Sequence, residues 1–434
     1  MSSPDSDPES IRRRLRDALA RGRAGVALDL LPDHCLPPER RPGNIVVERL
    51  MLAPEPPDGP EHAVPVVVVH REDDHRANRS PPASTRPLVA FLHGTGGDTE
   101  GLLDAHLIPL ASRGYVAVGV DAPCHGRRLD PAGGGVPPPA TLDDADVAHR
   151  AGGHGHGART RTRAETFARY GAALVAAWKG GGIEGGGGIE GGDVDDASGL
   201  SGGYSGAARP FLYDGAWDAL RAIRLVRARE NLRVDPSRAA MSGISLGGMY
   251  SWLASAADPT VVTGGAAPLI GAQDFGWALA NDAWRARAAS LPPELFDAAA
   301  KDTSDENVSD VDVAREVYRR IVPGLCDDLD GPRTMPLVAP RPLLVVNGEL
   351  DPRCPLGGLE RVVAAIRIAY DRENVPARFR ALAQVDTPHA CTDEMIEVTN
   401  LWLDEILQPS GAAAAERSFT RAATTPTWIR LSFD

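Results

Sequence analysis

Cysteine is scarce in this chain and follows no recognisable pairing pattern. The 434 residues include five, which are Cys35, Cys124, Cys326, Cys354 and Cys391. No C-x-x-C pair occurs among them, so the sequence indicates neither a disulfide framework nor a metal site. A reduced compartment is the simpler interpretation, and the cytoplasm is the default expectation.

Long apolar runs and excess positive charge are also missing. No stretch approaches the ~20 apolar residues that a membrane helix needs. The N-terminus has acidic residues from Asp5 to Glu9 and no apolar core of a signal peptide. The 46 Lys and Arg against 59 Asp and Glu give a formal net charge of -13. We therefore expect neither nucleic acid nor membrane as a partner, since both attract basic surfaces.

What the chain does have is the pattern of an α/β protein. Hydrophobic residues make up 43% of it, enough for a well-developed core. Short apolar runs alternate with helical patterns, which predicts a mostly parallel sheet with helices on both faces. The predicted strands are 45–52, 64–70, 88–92, 115–120, 238–242, 261–269, 343–346 and 379–382. The predicted helices are 10–30, 100–112, 212–229, 246–257, 356–370 and 394–407.

The pattern divides the chain into three parts. Residues 1–85 hold a helix, leading strands and a Pro-rich loop, and residues 86–408 form the α/β domain. Residues 409–434 are expected to be a flexible tail.

Two stretches interrupt the alternation in the α/β domain. Residues 127–210 include the glycine tract at 180–192, which has too few apolar side chains to order itself and is expected to be partly disordered. Residues 272–335 carry apolar residues at helical spacing and predict a small helical cap. Trp277 and Trp284 are seven apart in it, so they would share one face of a cap helix and are candidates for lining the substrate pocket.

A G-x-S-x-G motif at 243–248 supplies a candidate nucleophile, Ser245. In such a nucleophile elbow, small residues flank the serine because the strand and helix backbones approach closely. The motif alone is weak, since Ser201 lies in a second match within the glycine-rich stretch. Only Ser245 follows a predicted strand and precedes a predicted helix, so it is the candidate.

A serine nucleophile needs a base, and the base needs an orienting acid. His389 is the only histidine after Ser245 and lies in the loop between the last strand and the last helix. Asp351 follows the predicted strand 343–346, at the strand end where chemistry in open α/β sheets takes place. Glu349 in the same turn is the alternative acid.

The sequence "FLHGTGGD" at 91–98 predicts an oxyanion loop. One backbone donor to a developing oxyanion should be Leu246, directly after the nucleophile, and the other Thr95. His93 is expected to brace this loop. His125 is either a turn residue or part of the pocket, and the pair His154 and His156 is interpreted as loop without metal.

The motifs "HGTGG", "DAPCHG", "GISLGG", "NGELDPRCP" and "TPHA", in this order, resemble the α/β-hydrolase superfamily. They look closest to its dienelactone hydrolase, acetyl xylan esterase and prolyl-oligopeptidase-like branch. Within that branch, "FLYDGAWDALRAI" and "APRPLLVVNGELDPRCPLGGLE" are similar to a group of plant and bacterial hydrolases. The resemblance spans roughly residues 86–408. It implies a triad of Ser245, Asp351 and His389, with Leu246 and Thr95 framing the oxyanion hole.

The expected function is a cofactor-free serine hydrolase that cleaves an ester or related acyl bond of a small molecule. An acyltransferase is an alternative in the same class, with an alcohol or thiol in place of water. A ligand receptor on a hydrolase scaffold is the alternative from another class. The sequence leaves the substrate and the oligomeric state open.

Overall fold

The computed structural model describes residues 7–20, 28–55, 62–72, 85–128, 163–179, 211–302, 309–409 and 419–431. The glycine tract predicted to be partly disordered lies outside these residues, as do Ser201, His154 and His156.

Within the described residues, ten strands form one sheet. They are β1 (Leu36–Arg41), β2 (Ile45–Leu52), β3 (Val64–Arg71), β4 (Arg86–Leu92), β5 (Val116–Val120), β6 (Val234–Ile244), β7 (Gly265–Leu269), β8 (Leu343–Gly348), β9 (Phe379–Gln384) and β10 (Trp428–Arg430). The order is β1-β2-β3-β5-β4-β6-β7-β8-β9-β10. The central strands from β5 to β9 are parallel, and the outer pairings are antiparallel. This order and these connections are those of the α/β-hydrolase fold, so the predicted fold class is confirmed.

Helices cover both faces of the sheet. They are α1 (Pro8–Ala20), α2 (Thr99–Leu102), α3 (Ile108–Ser112), α4 (Arg163–Lys179), α5 (Phe211–Arg227), α6 (Leu246–Ala257), α7 (Phe275–Ala280), α8 (Arg285–Ala288), α9 (Pro293–Asp302), α10 (Asp310–Ile321), α11 (Gly331–Thr334), α12 (Leu356–Arg372), α13 (Asp393–Leu407) and α14 (Phe419–Ala422). None of these helices is long and apolar enough to cross a membrane.

Alternating side chains of the strands supply the two halves of the core. On β4, Leu88 and Ala90 belong to the half of the core that includes residues of α1, α5, α6 and α12, whereas Val89 and Phe91 belong to the half that includes residues of α3 and α13. Successive strand residues point to opposite faces, so a strand that is covered on both faces has apolar residues at every position of its sequence. This burial explains why the central strands could be located from the sequence.

Several element boundaries differ from the prediction. The first helix ends at Ala20, before the predicted end at residue 30. Strand β7 begins at Gly265, where φ is +110°, and not at Val261. The N-terminal strands β2 and β3 continue the same sheet as the α/β domain, and β1 extends it by a further strand that the Pro-rich sequence did not predict.

Residues 419–431, in the predicted C-terminal tail, include helix α14 and strand β10. Strand β10 pairs antiparallel with β9, with Ile429 opposite Ala383. A strand of three residues is too short to give a periodic pattern, and backbone hydrogen bonds to the edge of β9 hold it in place.

Helices α7 to α11 lie between β7 and β8, in the segment where the sequence predicts a helical cap. Helix α4, from the stretch 127–210, packs against α9 and α10 of the cap. The two tryptophans do not share a helix: α7 ends at Ala280, Asp282 has a φ of +52°, and Trp284 precedes α8. A left-handed residue interrupts the helix that the seven-residue spacing assumes.

Candidate active site

Ser245 occupies a strained turn between β6 and α6. Its φ and ψ are 55° and −107°, and its backbone N–H donates to the Leu269 carbonyl at 2.8 Å. The neighbouring glycines are required sterically, because a Cβ on Gly247 would lie 2.2 Å from the Leu92 oxygen and one on Gly243 would lie 2.7 Å from Gly247. Strain of this kind persists only where the surrounding structure enforces it, and it is typical of a nucleophile elbow.

The structure brings Ser245, His389 and Asp351 together in one chain of hydrogen bonds. Ser245 Oγ lies 2.9 Å from His389 Nε2, and His389 Nδ1 lies 2.7 Å from Asp351 Oδ2. A carboxylate can accept a hydrogen bond but cannot donate one, so His389 Nδ1 carries the ring proton. Nε2 is then free to accept a hydrogen bond from the serine hydroxyl. This arrangement allows the imidazole to act as a general base toward Ser245.

The surroundings of the two candidate acids distinguish them. The Asp351 side chain is buried, and its second oxygen accepts from the backbone N–H groups of Arg353 at 2.8 Å and Cys354 at 3.0 Å. The Glu349 carboxylate accepts instead from the Asp386 N–H at 2.9 Å. Of the two candidates, Asp351 is therefore the one that contacts the imidazole, and Glu349 links its own turn to the segment around Asp386.

The predicted oxyanion loop lies against the nucleophile. A Cβ on Gly94 would lie 3.3 Å from the Ile244 oxygen and 3.7 Å from Ser245 Cβ, so the loop backbone touches the elbow. Among the described residues, neither the Thr95 nor the Leu246 backbone N–H has an acceptor. That these two N–H groups bind a negatively charged oxygen formed at Ser245 stays a prediction.

Two histidines hold this loop by accepting backbone hydrogen bonds. His93 Nε2 accepts from the Ala122 N–H, and His125 Nε2 accepts from the Gly96 N–H, each at 3.0 Å. The His125 Nδ1–H donates to the Pro123 carbonyl at 2.7 Å, which fixes the tautomer. His93 therefore braces the loop as expected, and His125 does the same rather than acting as a simple turn residue.

Asp121 is a structural residue of the site that the sequence gave no reason to single out. One carboxylate oxygen accepts from the backbone and side chain of Thr99, and the other from the Arg127 N–H at 2.7 Å. It follows β5 directly and links the oxyanion loop side of the site to the "DAPCHG" segment. Its position at a strand end is the only signal in the sequence that could have indicated it.

Two residues of the triad, together with Cys354, form the one group of metal-capable side chains found among the described residues. Asp351, Cys354 and His389 each place a potential ligand atom within 4.8 Å of the other two. The carboxylate and the imidazole already bond to each other, and burial raises the pKa of Cys354 to about 12, so its thiol stays protonated at neutral pH. These bonds make the group a poor metal site, since a ligand thiol must lose its proton.

Both candidate pocket tryptophans pack against protein groups. The Trp277 indole lies over the start of α12, where a Cβ on Gly357 would approach it to 2.6 Å. Trp284 is buried, and its ring centroid lies 6.4 Å from that of Phe296. A substrate-binding role for either stays a prediction.

Solved structures with a similar fold include several esterases. An acetyl xylan esterase from Paenibacillus sp. R4 shares 16% identity, covers 93% of this chain and 95% of its own, and has a TM-score of 0.49. A glucuronoyl esterase from Solibacter usitatus shares 14% identity, covers 94% of each chain, and also has a TM-score of 0.49. Acetyl xylan esterases, to which the sequence motifs were likened, are thus among the structural neighbours. At these identities the likeness concerns the fold alone.

No protein-family model matches the sequence, and no curated protein matches it significantly.

Proposed function

We propose that this protein is a serine hydrolase that cleaves an ester or related acyl bond of a small molecule through an acyl-enzyme intermediate. The observation that carries the proposal is the hydrogen-bonded series Ser245–His389–Asp351, anchored on a serine with a strained backbone. This combination of nucleophile, base and orienting acid is the arrangement that acyl transfer requires.

In the proposed reaction, Ser245 Oγ attacks the carbonyl carbon while His389 Nε2 takes the hydroxyl proton. The backbone N–H groups of Leu246 and Thr95 stabilise the oxyanion of the tetrahedral intermediate, each such donor contributing roughly 3 kcal/mol. The imidazolium then gives its proton to the departing alcohol, leaving the acyl group on Ser245. A water molecule, deprotonated by His389, attacks the acyl-enzyme and releases the carboxylic acid.

Labelling with a fluorophosphonate tests the nucleophile, because such probes react with activated serines. We expect one adduct, on the peptide that contains residues 243–248, and its loss in Ser245→Ala. Ser242→Ala is a matched control, since Ser242 is buried three residues earlier and its hydroxyl donates to the Ala267 carbonyl at 2.8 Å. An adduct on another serine, or labelling that survives in Ser245→Ala, would refute the assignment.

Turnover is tested by a screen of simple esters of increasing acyl length. We expect release of alcohol and acid with a burst that reports the acyl-enzyme, and no turnover in Ser245→Ala. A wild-type protein that takes the probe but hydrolyses no ester would contradict the enzymatic function while preserving the activated serine.

A further inference from the structure

Arg287, in cap helix α8, reaches from the cap to both sides of the candidate triad. Its NH2 group lies 3.1 Å from Cys354 Sγ, and its NH1 group lies 3.7 Å from the Met249 sulfur. Met249 is in the first turn of α6, where its N–H donates to the Ser245 carbonyl, and Cys354 donates its N–H to Asp351. The guanidinium therefore bridges the nucleophile helix and the acid turn.

The charge of Arg287 has no carboxylate partner among the described residues. Its contacts are the two sulfurs and the ring of Phe275, whose centroid lies 5.9 Å from the guanidinium carbon. Arg285, two residues earlier on the same helix, contrasts with it: Arg285 is exposed and pairs with Asp282 and Asp310. Sulfur is a weak acceptor, so these contacts do not replace the hydration that a half-buried guanidinium loses.

Two buried donors in this region have no hydrogen-bond partner among the described residues. They are the Nε of Arg287 and the hydroxyl of Tyr318. Both side chains contact Phe275, since the Tyr318 ring packs edge-on to it at 5.6 Å. Burial raises the pKa of Tyr318, so this hydroxyl remains a donor at neutral pH. Buried donors without acceptors are costly, and a ligand oxygen would satisfy them.

Asp351 accepts from the N–H of Cys354, whose sulfur contacts Arg287, but its oxygens are already used. One accepts from His389, and the other from the N–H groups of Arg353 and Cys354. The Cys354 sulfur lies within 4.8 Å of the nearest coordinating atoms of both Asp351 and His389. A ligand held by Arg287 would therefore sit a few bonds from a carbonyl attacked by Ser245.

We infer that Arg287 binds a carboxylate on the substrate, so that the protein prefers esters bearing a negative charge a short distance from the scissile bond. This inference rests on the proposed hydrolase function and specifies its substrate class. A carboxylate matches the two-pronged geometry of a guanidinium, and its oxygens would also accept from Arg287 Nε or the Tyr318 hydroxyl. The carboxylate can belong to the acyl part or to the alcohol part of the ester.

The test compares charged esters with neutral esters of matched length. Monoethyl adipate against ethyl heptanoate places the charge on the acyl part, and butyryl glycolate against propyl butyrate places it on the alcohol part. Release of acid is followed by titration at constant pH. We expect kcat/KM for the charged ester to exceed that for its neutral match by roughly 10- to 100-fold in one of the two pairs.

Three variants assign that preference to Arg287. Arg287→Met should bring the charged-to-neutral ratio toward one, and Arg287→Lys should retain part of it because the charge remains. Arg285→Met, the control on the same helix, should leave the ratio as in the wild type. Melting temperatures confirm that each variant is folded.

The possible outcomes separate the inference from the proposed function. A wild type that hydrolyses neutral and charged esters equally, or an Arg287→Met variant that loses both in parallel, overturns the carboxylate site and leaves the hydrolase intact. Parallel loss would mean that Arg287 only holds Cys354 and the acid turn in place. A wild type that hydrolyses no ester at all refutes the proposed function itself.

Discussion

The imidazole of His125 accepts a hydrogen bond from the backbone N–H of Gly96, at 3.0 Å, and so joins the segment after β5 to the oxyanion loop after β4. Gly96 has a φ of +80°, a conformation that only glycine adopts without cost. The bond fixes the loop on the residue directly after Thr95, whose N–H is one of the two expected oxyanion donors. Positioning of that donor therefore depends on a residue far from the nucleophile in sequence.

We expect His125→Ala to lower kcat by about 10- to 100-fold with a smaller change in KM. The loop would lose an acceptor for Gly96, and small misplacements of an oxyanion donor have effects of this size. His125→Asn, whose amide oxygen can accept the same hydrogen bond, should recover part of the loss. Steady-state kinetics and thermal melts check this, and equal kinetics for the Ala and Asn variants would contradict the bracing role.

The assignment of the triad acid makes a second prediction. Asp351→Asn should lower kcat by roughly 10⁴-fold with little change in KM, because the amide favours the wrong imidazole tautomer. Glu349→Gln should have a far smaller effect, since the Glu349 carboxylate accepts from the Asp386 backbone and not from the imidazole. Kinetics of the two variants decide the matter, and a reversal of the two effects would make Glu349 the acid.

The parts of the site that the sequence predicts are those defined by local chemistry. Ser245 could be separated from Ser201 because an elbow needs a strand before it, a helix after it and small residues around it. Asp351 and His389 follow predicted strands, and the carboxyl ends of parallel strands meet at one edge of the sheet. The fold class depends on the same strand pattern.

The parts that the sequence does not predict depend on contacts between distant segments. Nothing local to Arg287 indicates that it meets Cys354, 67 residues later in the chain. The packing of α4 on the cap joins two separate insertions, and β10 is defined only by the edge of β9 on which it pairs. Such features arise from tertiary structure, and a single sequence carries no periodic signal for them.

The base of the cap should respond to pH through Asp330. Its carboxylate accepts from the N–H groups of Phe275, Gly276 and Gly331, which favours the charged form. Burial, together with the nearby Asp274, outweighs these bonds and raises the pKa of Asp330 to about 7. Asp274 in turn faces Arg361, at 3.3 Å.

The sign of the effect follows from the direction of this pKa shift. Between pH ~4 and ~7 the folded state holds a proton on Asp330 that the unfolded state has lost, so this residue makes stability fall as pH rises. We expect Asp330→Asn to remove a contribution of roughly 4 kcal/mol across this range, because each pKa unit corresponds to ~1.4 kcal/mol. Denaturant unfolding at several pH values measures it, with the exposed Asp327→Asn as the control. Identical pH slopes for Asp330→Asn and the wild type would contradict the raised pKa.

The two cap tryptophans should have different roles, and their alanine variants distinguish them. The Trp277 indole is half-buried over Gly357, in the first turn of α12. This helix directly follows the turn that carries the triad acid, so Trp277 is the better candidate for a wall of the acyl pocket. Trp277→Ala should shift preference toward longer acyl chains, each added methylene being worth up to ~0.8 kcal/mol of burial.

Trp284 is 6% exposed and packs on Phe296 inside the cap. Trp284→Ala should instead lower the free energy of unfolding by about 3–5 kcal/mol and leave the order of chain-length preference unchanged. Hydrolysis rates for esters of increasing acyl length, measured beside denaturant unfolding of both variants, separate the two effects. If neither variant alters the profile of chain lengths, the indoles of the cap do not limit the acyl group, and the limit must come from other side chains around Ser245.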